Sequence, residues 1–195
     1  MKRRQFFSVT LLAFTPALSL ASEIPATWED GSLIFRLSAW DRVTRAIRAH
    51  SPWPEEMRLW THVGMIARDG RFVIHAYPDH GVTVQRVQDF IDPRVCQQYA
   101  VLQPELPGIG PRMAARLQTQ VGKPFDDELS PDGIYCTNVI AKVLDVHMPA
   151  SLYRTWALGY RHKMLHPDDL FYFLLATKEY GLAYGQLPRP KGRSL

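Results

Sequence analysis

The spacing of apolar positions changes period several times along the chain, and each change predicts an element. Asp30-Gly31-Ser32 reads as a turn entering a strand at Leu33-Ile34-Phe35-Arg36-Leu37. Ser38 then stands as the N-cap of a helix running to about His50, with Trp40, Val43 and Ile47 as its apolar stripe. Two prolines, Pro52 and Pro54, make the next stretch loop. Val82 to Val87 and Gln97 to Leu102 read as further strands, and Pro104 to Pro111 as a connector. Met113, Leu117 and Val121 line up on a helix from Pro111 to Val121 that Gly122 closes. A last helix starts at Pro167-Asp168-Asp169, where proline and acids suit a helix N-terminus. The elements together predict an α+β fold, an antiparallel central sheet packed against helices.

The strongest β signal is a pair of runs, Thr61 to Arg68 and Arg71 to Tyr77, around Asp69-Gly70. Asp-Gly between two such runs predicts a primed two-residue hairpin turn, and the turn sets the register. Arg68 then faces Arg71, Gly64 faces His75 and His62 faces Tyr77. Opposed residues share a face, so His62, Gly64, His75 and Tyr77 all lie on one side of the hairpin. His62 and His75 become diagonal neighbours roughly 7–8 Å apart at the backbone, and Gly64 leaves room between them. A slip of one residue would send the two rings to opposite faces.

Ser130-Pro131-Asp132-Gly133 is a turn-forming run, and Val139, Ile140, Val143 and Leu144 after it recur at helical spacing. Cys136 falls at the junction, in the first turn of the helix. The partial positive charge there favours thiolate, the nucleophilic form of cysteine. A nucleophile at that address needs a base and a group to orient the base, and the paired histidines are the candidates. A metal site on His62 and His75 would lack a third ligand, since no Asp, Glu or Cys stands near them at ligand spacing. His50, His80, His147, His162 and His166 form no pairing pattern and are expected in surface or capping roles.

The chain has 195 residues, 46% hydrophobic and 22% charged, which suits one domain with a core. Its first residues read as a leader. Lys2, Arg3 and Arg4 precede a largely apolar run from Phe6 to Leu20, and Ser19-Leu20-Ala21 offers small residues for cleavage. Residues 1–21 are therefore expected to be a signal peptide, and Arg3-Arg4-Gln5-Phe6 resembles a twin-arginine signal. The run is broken by Ser8, Thr10, Thr15 and Pro16, whereas a stable span wants about 20 apolar residues. A periplasmic or secreted domain over residues 22–187 is expected, with a disordered basic tail at 188–195. Without the leader the chain carries 20 basic and 19 acidic residues, so its charge gives no reason to expect nucleic acid. Export also leaves a Cys96–Cys136 disulfide open as an alternative to a catalytic thiol.

Five stretches carry a family resemblance: Asp30 to Phe35, Thr61 to Met65, Val73 to Ala76, Gly122 to Asp126 and Tyr135 to Val139. Together they resemble the circularly permuted papain-like (NlpC-type) cysteine hydrolases, in particular the YiiX/YebB-like branch. The resemblance implies a permuted papain-like fold, Cys136 as nucleophile, His62 as general base and acid, and His75 as the orienting third member. It calls for no cofactor and no metal. Two positions depart from the branch: Ser32 stands where an aspartate is usual, and His75 where a carboxylate is often found. A histidine there stabilises an imidazolium less than a carboxylate would. Tyr135 is expected either to line the substrate pocket or to pack. The function implied is an exported monomeric thiol hydrolase that cleaves an amide, with peptidoglycan peptide as the expected substrate. Two alternatives stay open, a lipid acyl hydrolase or acyltransferase of the same superfamily and a non-catalytic, disulfide-stapled binding module.

Overall fold

In the computed structural model, residues 28–39, 42–130, 132–144, 146–155 and 163–185 are described. The expected leader and basic tail, Trp40, Pro131, Trp156 and His162 lie outside them. The hairpin is the frame of the sheet. Strand β2 (His62–Ala67) and strand β3 (Phe72–Tyr77) pair with Met65 opposite Ile74, Ile66 opposite Val73 and Ala67 opposite Phe72, the register the turn demands. Asp69 and Gly70 both take positive φ, as a primed turn requires, and Arg68 does too. Around the hairpin lie β1 (Leu33–Ser38), β4 (Gly81–Arg86), β5 (Cys96–Pro104) and β8 (Tyr180–Tyr184), giving the order β4-β3-β2-β1-β5-β8. Every neighbouring pair is antiparallel. Two short strands, β6 (Tyr153–Thr155) and β7 (Lys163–Leu165), form a separate ribbon.

Alternation decides which face each side chain joins. Leu33, Phe35, Val63, Met65, Ile74, Ala100 and Leu102 point to one face and form the main core. That face is covered by α3 (Ile109–Gln118), α4 (Cys136–Val143) and α5 (Pro167–Thr177), which contribute Met113, Leu117, Val139, Ile140, Leu170 and Phe171. The other face holds a smaller cluster of Ile34, Ile66, Val73 and Val101 under Trp28 and the one-turn α2 (Val87–Phe90). By parity His62 and His75 belong to this second face. The central strands are therefore buried on both sides, which is why β1 reads as a nearly unbroken apolar run.

Several boundaries differ from the sequence expectation. Ser38 does not cap a helix. It ends β1, its N–H donates to Thr61 Oγ1, and α1 covers Arg42–His50. Helix α3 runs two residues earlier and stops three sooner than its stripe suggests, leaving Val121 at the surface. The short β6–β7 ribbon, α2 and β8 carry no periodicity long enough to predict; Gly181 interrupts β8 itself.

Candidate active site

Cys136 is the first residue of α4, and the chain before it is tied down one residue at a time. The Asp126 carboxylate accepts the N–H groups of Glu128 (3.1 Å) and Ser130 (2.9 Å) and the Ser130 hydroxyl, while its own N–H donates to Ile134 O at 2.8 Å. Gly133 passes so close that a Cβ there would fall 1.7 Å from Asp126 Oδ2. Asn138 Nδ2 closes the turn on Gly133 O at 2.7 Å. On either side of Cys136, two hydroxyls grip one residue of β7. Leu165 N–H donates to Tyr135 Oη at 3.2 Å, and Thr137 Oγ1 donates to Leu165 O at 2.6 Å. Tyr135 is 1% exposed and packs on Met164.

The histidines meet as the hairpin register requires. His62 Nε2 and His75 Nδ1 stand 2.9 Å apart, with ring centroids 5.0 Å apart and planes at 87°. Both rings are buried, at 6% and 3% exposure. Gly64 is what admits them: a Cβ on it would lie 2.3 Å from Val73 Cγ1 and 3.1 Å from His75 Cβ. Phe90 floors the pair at 5.6 and 5.2 Å from the two rings. Arg36, directly across from His62 on β1, lays its guanidinium 4.4 Å over Phe90 and donates from Nη1 to Phe90 O at 2.9 Å. Tyr77 stands edge-on to both histidines at 5.8 and 6.2 Å and is 39% exposed, so it forms the solvent side of the site.

A split in the sheet joins the two halves. The β2–β3 ladder ends at Met65–Ile74, whereas β1–β2 continues to Arg36–His62 and β3–β4 to Tyr77–Gly81. Ile66 N–H points to β1, where it bonds Ser32 O at 2.7 Å, so the odd residues of β2 turn their N–H groups towards β3. Val63 N–H is left over where the strands part, and the Cys136 thiol takes it up, together with the N–H groups of Thr137 and of Cys136 itself. The sulfur is thereby bound to the residue after His62.

Electrostatics correct one expectation. Burial pushes the Cys136 thiol up to about 11, although the three N–H groups and Arg36 pull the other way. Desolvation outweighs the helix terminus. Burial and then Arg36 hold His75 down to about 4, and the same causes, with His75, hold His62 well below the ordinary histidine value. At neutral pH the thiol and both imidazoles rest uncharged. With His62 Nε2 engaged by His75, Nδ1 is the other nitrogen of its ring.

Cys96 lies elsewhere, at the start of β5, with its thiol on Gln98 O at 3.3 Å. Both cysteines are free, which removes the disulfide-stapled alternative. Sequence reasoning missed Arg36, Phe90 and the Leu165 clamp. Only Arg36 left a signal, as a lone charge inside the apolar run of β1.

A six-stranded antiparallel sheet, with Cys136 at a helix start and His62 on a strand ahead of it in the chain, defines the class as papain-like cysteine hydrolases in permuted arrangement. The family follows from the sequence itself. A profile of the permuted papain-like amidase enzymes, YaeF/YiiX, C92 family, matches residues 27–164, and the chain belongs to that family. In fold it is similar to a crystal structure of the metalloprotein YiiX from Escherichia coli O157:H7. The TM-score is 0.61 at 17% identity, over 82% of this chain and 98% of the other. Among curated proteins nothing matches the sequence.

Proposed function

We propose that the protein is an exported thiol amidase that cleaves peptide amides of the cell wall through Cys136, His62 and His75. The observation that carries this reading is the 2.9 Å bond between His62 Nε2 and His75 Nδ1, beside a thiol bonded to Val63 N–H. As Cys136 Sγ attacks the carbonyl carbon, its proton passes to His62 Nδ1, and charge on the carbonyl oxygen meets N–H groups at the start of α4. The tetrahedral intermediate collapses, the C–N bond breaks, and His62 returns the proton to the leaving amine. Water, deprotonated by His62, then releases the acid and restores the thiol. The neutral resting pair delays ionisation until substrate fills the site and contributes its own carbonyl to the charge.

Cell-wall peptide follows from the expected leader, since it is the abundant amide polymer met after export. The exposed Tyr77 ring favours a flat or apolar group beside the scissile bond, and this supports lipid acyl transfer as the second reading. YiiX is described as a metalloprotein, but the residues here do not fit a resident metal. His62 Nε2 and His75 Nδ1 are spent on each other, and among the described residues no three His, Cys, Asp or Glu side chains converge. No step is routed through one.

The test is turnover of purified muropeptides and of acyl esters by the mature protein, with the acyl-enzyme trapped and weighed. Release of a new amine with acyl mass on Cys136, lost in Cys136→Ala, supports the amidase. Ester turnover without amide turnover would move the assignment to the second reading. No acyl-enzyme with either substrate would end both.

A further inference from the structure

The bond between the two histidines fixes more than their distance. If His62 is to take the thiol proton on Nδ1, its own proton must rest on Nε2, and Nε2–H must donate to His75 Nδ1. His75 then carries its proton on Nε2. That nitrogen is buried in a ring only 3% exposed, and no hydrogen bond of ordinary length and angle closes on it. A buried N–H without an acceptor is costly, and it leaves the tautomer free to reverse. Reversal would point a proton at His62 from the wrong side and take the base out of register with the thiol.

The neighbouring strand supplies candidates. Thr83 lies opposite His75 and Gln85 opposite Val73, so both share the histidine's face, with Gln85 as its diagonal neighbour. We propose that Gln85 is a positioning residue, whose amide oxygen accepts His75 Nε2–H and so locks the proton order His62 Nε2–H to His75 Nδ1, His75 Nε2–H to Gln85 Oε1. This inference rests on the Cys136–His62–His75 reading. The Gln85 side chain already acts on the ring as a hydrogen-bonding group that raises its proton affinity, against the lowering by burial, Arg36 and His80.

An amide suits this place better than an acid. The charged and titratable groups around His75 are Arg36 from β1, His62 from β2, Tyr77 from its own strand and His80 from the following turn. A carboxylate among them would draw Arg36 towards itself and hold a proton on the imidazoles. A neutral acceptor orients the ring and leaves both histidines neutral.

The experiment is nitrogen NMR of histidine-labelled mature protein, with the pH profile of Cys136 alkylation by iodoacetamide followed by mass. Expected is His75 protonated on Nε2 in the wild type. Gln85→Leu mixes the tautomers and slows alkylation about 10-fold with an unchanged melting temperature. Gln85→Glu moves the acid limb of the profile up by about one pH unit. A proton on His75 Nδ1, or a Gln85→Leu spectrum and profile identical to wild type, overturns the proposal, as does a tautomer shift in Thr83→Val instead. Alkylation unaffected by His62→Ala is a separate result: it removes the triad, and the Gln85 assignment with it.

Discussion

Among the described residues, two buried polar clusters contain histidine, and they are built differently. At the start of α5, His166 accepts Asp168 N–H on Nδ1 at 3.1 Å and donates from Nε2 to Ile47 O at 3.0 Å, so both nitrogens are spent. Asp168 accepts Leu59 N–H (3.1 Å), Trp60 N–H (2.7 Å) and Ser51 Oγ–H (2.7 Å). Asp169 accepts Trp53 Nε1–H at 3.1 Å and meets Arg154 at 3.4 Å. Apart from Asp169 Oδ2, which has the Arg154 guanidinium beside it but closes no hydrogen bond, this cluster is satisfied by its own bonds and pins the loop that leads into β2. The His62–His75 cluster is left short: His75 Nε2 closes no hydrogen bond of ordinary geometry, and a strand ladder stops beside the pair. Burial in which nearly every polar atom is bonded by backbone and side chain makes structure, whereas burial that leaves the ring nitrogens of two histidines to each other makes a candidate site.

The largest effect separates the two clusters by readout. His62→Ala is expected to lower turnover by roughly 10²–10⁴-fold with a smaller loss of stability than Asp168→Ala, because it strands a single ring nitrogen, His75 Nδ1. Asp168→Ala strands two backbone N–H groups and a hydroxyl in a fully buried place, and should cost about 3 kcal/mol of stability. Denaturant titration with kinetics on both variants checks this. Equal losses of stability from the two would erase the distinction.

Much of the chemistry side was legible. The Asp69-Gly70 turn carries the hairpin register, and the register brings His62 and His75 to one face; the turn run before Cys136 puts it at a helix start. What stayed hidden is set by three-dimensional context. The split between β2 and β3 depends on a helix arriving from residue 136. The upward push on the thiol depends on how deeply that helix is packed. Asp168 and Asp169 read as ordinary helix-start acids because their partners lie over 100 positions away. Short elements such as β6, β7 and β8 are defined by their partners rather than by their own pattern.

Gly64→Ala sharpens the comparison from inside the site. Its Cβ would press on Val73 Cγ1 at 2.3 Å, so a cost of about 1–3 kcal/mol is expected. His75 would be pushed from His62 as well, and turnover should fall further than stability alone explains. The conservative partner of this test is Val73→Ala in the Gly64→Ala background, which relieves the contact and should recover part of the activity.

Acid pH tests both clusters at once, with opposing signs. His75 and His166 are each held at about 4 by burial, against an ordinary value of 6.5, so the unfolded chain binds their protons first. Their contribution is complete above pH 6.5 and is lost as pH falls towards 4. Burial raises Asp168 from 3.8 to about 6, so in that window the folded form holds its proton more tightly and stability moves the other way. Burial likewise lowers His62 and raises Asp169, so three histidines stand against two acids and net stability should rise between pH 4 and 6.5, by about 1.4 kcal/mol per pH unit for each proton in the balance. Chemical denaturation across that range measures the slope; His75→Asn should flatten it, and Asp168→Asn should steepen it. A slope of the opposite sign would mean that the acids dominate.

The smallest effect concerns the clamp that connects the two regions. Tyr135→Phe keeps the packed ring and removes only the oxygen that accepts Leu165 N–H, so about 1 kcal/mol of stability should be lost. Leu165 lies just before His166, and Tyr135 just before Cys136, so this bond ties the structural cluster to the start of α4. Loosening it should lower turnover only a few-fold while Thr137 still holds Leu165 O. The double variant with Thr137→Val releases both ends of Leu165. If the clamp positions Cys136, the pair should lose more activity than the two single losses combined, with the melting temperature falling additively. Additive losses in both would assign the two hydroxyls to folding alone.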